Sequence, residues 1–148
     1  MTETYHRMLD RMKLQAWLFT AILLAAALAG VSGAAPAAER LAGRTWLAED
    51  IGGRGVIDNA QSPLRIEAGA ASGSAGCNRF TGTVKVDGAS LAFSPLGTTK
   101  KMCAPALMDQ ELRFLAALAA ARTWRFEGAY LRFYDAAGAE LARFTALS

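Results

Sequence analysis

Ten residues, Gly73-Ser74-Ala75-Gly76-Cys77-Asn78-Arg79-Phe80-Thr81-Gly82, constrain this chain more than any other stretch. They hold three glycines and one of the chain's two cysteines. The second cysteine stands in Thr98-Thr99-Lys100-Lys101-Met102-Cys103-Ala104. Glycine weakens packing within a strand, so the small-residue run from Ala71 to Gly76 predicts a bulge, a bend or a close backbone approach. Directly after it, Phe80, Gly82, Val84 and Val86 fall on one side of an alternating pattern, with Thr81, Thr83 and Lys85 on the other. A strand begins at this motif.

More strands follow from the same reasoning. Arg44 to Ile51 reads as a strand anchored by Trp46, broken by Gly52-Gly53-Arg54-Gly55 and followed by a polar loop over Asp58 to Pro63. Leu64, Ile66 and Ala68 alternate with Arg65 and Glu67. Asp87-Gly88 is a hairpin turn leading into Ser90–Ser94, Pro95-Leu96-Gly97 ends that strand, and Thr98 to Met102 supplies one more short strand. A helix starts at Pro105, a residue suited to the first turn. In it Met108, Leu112, Leu115, Leu118 and Ala119 form the expected core stripe, with Asp109, Gln110 and Arg113 outward. Asp109 and Arg113, four apart, pair weakly. Thr123–Glu127, Tyr130–Asp135 and Glu140–Ala146 close the chain as strands joined at Gly128 and Gly138. The sum is an α+β domain: a curved or partly closed antiparallel barrel-like sheet of about seven to nine short strands with one main α-helix.

The chain's 148 residues suffice for one domain. Before that domain, the uncharged run Ala16 to Ala29 follows Lys13 and is short for a spanning helix, so residues 1–34 read as a secretory signal peptide. Cleavage is expected after Ala34 or Ala37, with translation starting at Met1 or Met12; an uncleaved N-terminal anchor is the alternative. Residues 35–42 read as a flexible linker and 43–148 as the domain. Leu28-Ala29-Gly30 is followed by Val31 rather than cysteine, so no lipoprotein is expected. The mature domain is thus expected to be periplasmic or secreted, without a membrane span. Removal of the leader removes His6, the only histidine, and with it Ser-His-Asp, Cys-His and His-ligated metal chemistry. Of the formal net charge of +3, the leader's three bases and two acids account for one, leaving too little for a nucleic-acid-binding stripe.

The Gly-Cys-Asn-Arg-Phe core, Leu91-Ala92-Phe93, the Thr98–Cys103 run and Glu111 within a helix together resemble the META domain, the family of HslJ-like heat-shock proteins. The resemblance runs from the Gly43-Arg44-Thr45-Trp46 opening to the C-terminus. It implies an envelope or exported protein linked to stress or tolerance, acting by binding, in a family with no established enzymatic activity; no metal or cofactor is expected.

Cys77 and Cys103, in an oxidising compartment, are expected to form a disulfide closing a loop of about 25 residues and adding roughly 3–4 kcal/mol; the alternative is a redox site, which their spacing disfavours. Asn78, Arg79, Phe80, Thr99, Met102 and Glu111 form a structural or recognition motif. Its plain reading has Asn78 shaping the turn, Arg79 solvated, Phe80 in the core and Glu111 bonding back to the turn. The acids Asp50, Asp58, Glu67, Asp109 and Glu111 are scattered, and no catalytic pair is expected. Two functions stand: a monomeric envelope domain binding another envelope protein, or a small carrier of a lipid or hydrophobic peptide. In the carrier, Trp46, Phe93, Trp124, Phe126, Tyr130, Phe133 and Phe144 would line a cavity.

Overall fold

The structure of the chain, a computed structural model, describes residues 37–147. The expected leader and the cleavage point after Ala34 lie outside the described residues.

Among the described residues, nine strands and two helices follow one another: α1 (Ala37–Leu41), β1 (Thr45–Ile51), β2 (Pro63–Glu67), β3 (Ala70–Ser74), β4 (Arg79–Asp87), β5 (Ser90–Phe93), β6 (Gly97–Thr98), α2 (Pro105–Ala120), β7 (Thr123–Glu127), β8 (Tyr130–Tyr134) and β9 (Glu140–Ala146). Helix α1 occupies Ala37–Leu41 within the stretch expected as a linker. Alanine is the strongest helix former, and Leu41 gives the short helix an anchor. That side chain is buried, and its carbonyl accepts a 2.9 Å hydrogen bond from Trp46 Nε1.

The strands pair antiparallel in the order β3-β2-β1-β9-β8-β7-β5-β4-β6, and β3 also pairs with β4, closing a ring. Strand β4 serves three neighbours: its first half lies between β3 and the two-residue β6, and its second half pairs with β5. The ring is uneven. The β3–β4 seam runs from Ala70 opposite Thr83 to Ser74 opposite Arg79, whereas β5 and β7 meet only at Ser90 and Thr123, with flanking bonds from Leu91 N–H to Arg122 O and from Trp124 N–H to Ala89 O.

Of the bulge, bend or close backbone approach expected over Ala71 to Gly76, the structure shows the close approach, at Gly73 within the regular strand β3. A Cβ on Gly73 would collide with the Pro63 carbonyl and come within 2.9 Å of Phe80 Cζ. The turn into β3 uses Ala68 and Gly69, both at positive φ. The short strand expected over Thr98 to Met102 is confined to Gly97–Thr98.

Helix α2 presents Gln110, Glu111, Phe114, Ala117 and Leu118 to the interior. This corrects the stripe expected from sequence. Leu118 is shared, but Leu112 is exposed and Gln110, expected outward, is completely buried. The phase of the helix is set by Phe114, the largest side chain on it, which packs against Phe80 at 5.8 Å and Phe144 at 6.2 Å between ring centroids. Phe133 adds contacts to Phe144 and Phe93. Arg122, just past the helix, donates to the carbonyls of Ala119 and Ala121, the expected use of a cation at a helix C-terminus.

Candidate functional site

Asn78 is the centre of the motif. It is 2% exposed, so every polar atom it carries requires a partner. Its backbone N–H donates to Glu111 Oε2 at 2.6 Å, and its side-chain Nδ2 donates to Glu111 Oε1 at 2.9 Å and to the Lys101 carbonyl at 3.1 Å. Its Oδ1 accepts from Thr99 Oγ1 at 2.8 Å and from the Lys101 N–H at 2.7 Å. A primary amide has two donors and an acceptor with two lone pairs, so the side chain is saturated. Thr99 Oγ1 also accepts from the Arg79 N–H, and the Asn78 carbonyl accepts from Ala75 N–H at 2.8 Å. One residue thereby ties the turn before β4 to the segment after β6 and to helix α2.

Cys77 and Cys103 are bonded, with their Cα atoms 6.0 Å apart. The bridge joins the same two segments as Asn78, and both sulfurs are in it, leaving no free thiol among the described residues.

Beside Glu111, Gln110 performs a parallel task on another loop. Its Oε1 accepts from Ile57 N–H at 2.8 Å, and its Nε2 donates to the Ala60 carbonyl at 2.7 Å and to Ser62 Oγ at 3.2 Å. Gly76, at φ +110°, brings the motif turn against it: an added Cβ would lie 3.3 Å from Gln110 Nε2. Sequence reasoning missed Gln110 because a glutamine on a helix reads as solvent-facing. The available signal was the spacing of Phe114, Ala117 and Ala121, which shares its face.

The motif residues therefore divide into two groups. Cys77, Asn78, Thr99, Cys103 and Glu111 form one bonded cluster, and Phe80 is buried below them. Arg79 and Met102 project outward. Arg79 has no ion-pair partner among the described residues, and Met102 is 88% exposed.

Arg79 borders a surface groove of about 770 Å³ on the outer face of β2, β3, β4 and β6. The recess exists because the outward positions there are small: Ser72, Ser74, Thr81 and Gly97, between Arg65 and Arg79. Of the seven rings named for a carrier cavity, Phe133, Phe144, Trp46 and Trp124 are buried in the core, Phe93 and Phe126 are half-buried against it, and Tyr130 is exposed.

Across β7, β8 and β9, Arg125, Arg132 and Arg143 stand directly opposite one another. This row is largely compensated. Glu127 accepts from Arg125 Nε at 2.6 Å and from Tyr134 OH at 3.1 Å, and it lies 2.9 Å from Arg132 Nε. Those hydrogen bonds, Arg125's first, hold the Glu127 carboxyl below the usual carboxylate range. Glu140 pairs with Arg132. Among the described residues, no three His, Cys, Asp or Glu side chains converge as metal ligands, and Glu111 faces hydrogen-bond donors rather than a second acid or a nucleophile.

A family profile described as META domain matches residues 39–148. The chain belongs to the META domain family. Solved structures resemble the META fold described above. A protein solved by NMR is 24% identical with a TM-score of 0.59, covering 76% of this chain and 96% of its own. A second NMR structure, of a protein from Burkholderia xenovorans, is 20% identical with a TM-score of 0.59, covering 81% of this chain and 97% of its own. A DUF4847 family protein from Bacteroides vulgatus ATCC 8482 is 17% identical with a TM-score of 0.53, covering 72% and 94%. At these identities the likeness is one of fold. No curated protein matches the chain.

Proposed function

We propose that this META domain is an exported, non-catalytic domain of the cell envelope that acts by binding another envelope component, with a role in stress or tolerance. Its working surface is the motif end of the ring, centred on the groove beside Arg79. One observation carries this reading: the fold consumes every polar atom of Asn78, both cysteines and the Glu111 carboxylate, yet leaves Arg79 unpaired on the rim of a groove. An arginine with five free donors is suited to an anionic or carbonyl-rich partner. The disulfide supports an oxidising compartment, and no helix among the described residues is long and apolar enough to cross a membrane. The interior burial of Trp46, Trp124, Phe133 and Phe144 favours this reading over the carrier alternative.

Native mass spectrometry of protein purified from the periplasm without detergent tests this. The expected result is a leader-free monomer with the two-hydrogen deficit of a disulfide and no retained ligand. A photo-crosslinker at Thr81 should then capture a partner that the same probe at Lys85 does not, and Arg79→Glu should abolish the capture. A stoichiometric small-molecule adduct would overturn the reading in favour of the carrier.

A further inference from the structure

We propose that the loop after β6 seats this domain on an anionic lipid surface, with Met102 entering the headgroup region and Arg79, Lys100 and Lys101 pairing with lipid phosphates. The inference concerns where the domain rests, and it holds whether or not the groove takes a partner.

Met102, at 88% exposure, is the most exposed large apolar side chain among the described residues; Leu112 follows at 68%. The loop is fixed on both sides of it. The preceding residue, Lys101, is held through its N–H and its carbonyl by Asn78. The following residue, Cys103, is bonded to Cys77. A methionine on so rigid a support cannot fold back onto the core, and its apolar surface stays in water unless something outside the chain covers it.

The charges beside it suit an anionic cover. Arg54, Arg65, Arg113, Arg125 and Arg132 all pair with carboxylates. Arg79, Lys100 and Lys101 pair with none among the described residues; the Lys100 amine meets only the Thr98 hydroxyl, at 3.3 Å. Five other described cations, Arg40, Arg44, Lys85, Arg122 and Arg143, also lack a carboxylate and lie elsewhere, but these three adjoin the most exposed apolar side chain, Lys100 and Lys101 in sequence and Arg79 through its backbone bonds to Thr99. A flexible apolar chain ringed by long cationic ones suits the membrane interface, where the apolar part enters the acyl boundary and the ammonium groups reach phosphates. An acidic protein would supply the charge, but Met102 protrudes from the surface and suits a yielding, disordered phase better than a shaped socket.

The test uses protein recovered from the periplasm of cells expressing the full chain, sedimented with phosphatidylcholine vesicles with or without phosphatidylglycerol. Any retained Ala16–Ala29 run would carry protein to both vesicles, so the reading is the excess bound to the anionic ones. The expected result is clear excess binding that disappears as salt rises. Lys100→Gln with Lys101→Gln should weaken it by about 25-fold, about fivefold per charge. Met102→Asp should also weaken it, while Met102→Leu retains it. These positions are exposed, so an unchanged melting temperature and disulfide mass will separate lost binding from lost folding. Equal sedimentation with both vesicles, or full binding by the Met102→Asp variant, would overturn the proposal. So would a failure to bind vesicles in a protein that still captures an acidic polypeptide through the same lysines.

Discussion

Gln110 and Glu111 are neighbours on one helix, both buried, and they fasten two loops by different chemistry. Glu111 is an acceptor only, so the motif turn must bring it donors, and Asn78 supplies two. Gln110 is both donor and acceptor, so it spans its loop by taking the Ile57 N–H and returning its own N–H to the Ala60 carbonyl. The Glu111 loop has a covalent lock beside the polar one. The Gln110 loop has none. The protein places its one disulfide where a carboxylate lies buried, the arrangement in which a loosened loop would cost the most.

Breaking the lock is the most severe test of that contrast. Replacing Cys77 and Cys103 together by serine should lower stability by roughly 3–4 kcal/mol, read as a fall in the denaturant midpoint, with β3 and β4 still paired. A midpoint unchanged from the parent would show that Asn78 and Glu111 alone hold the turn. Glu111→Ala comes next. It leaves the Asn78 N–H and one hydrogen of its side-chain amide without an acceptor, an expected loss of about 3 kcal/mol, and proteolysis should then open the segment around Lys101. Gln110→Leu should cost about 2 kcal/mol, and faster amide exchange at Ile57 should report it while the Asn78 amide stays protected. Equal exchange at both amides would mean that the two loops open as one unit. Asp109→Asn is the smallest change. Its exposed pairs with Arg54 and Arg113 are worth about 0.5 kcal/mol at most, and thermal melts in low and high salt should barely separate it from the parent.

Much of this arrangement is legible in the sequence. Alternation places Phe80 and Val84 in the core, Gly88, Gly128 and Gly138 mark turns at positive φ, and the two cysteines pair. The expected back-bond from Glu111 to the turn is present. The phase of α2 was not legible, because periodicity counts apolar side chains and the buried face of this helix opens with two polar ones. Their burial depends on donors supplied by residues 57–62 and 78, which no local pattern displays. Helix α1 was obscured for the opposite reason. Its alanines look like spacer, and it is the burial of Leu41 and the Trp46 indole bond to the Leu41 carbonyl that anchor a helix they can form.

The saturation of Asn78 also bears on how the protein ages. Spontaneous hydrolysis of an asparagine side chain exchanges one NH₂ for an oxygen and leaves the outline of the residue unchanged. At this position that oxygen would sit where Nδ2 now lies, 2.9 Å from Glu111 Oε1, turning a donor into an acceptor and placing two carboxyl groups in contact. One of them would have to take up a proton or leave. Exchange of that one amide group would therefore undo the centre of the motif.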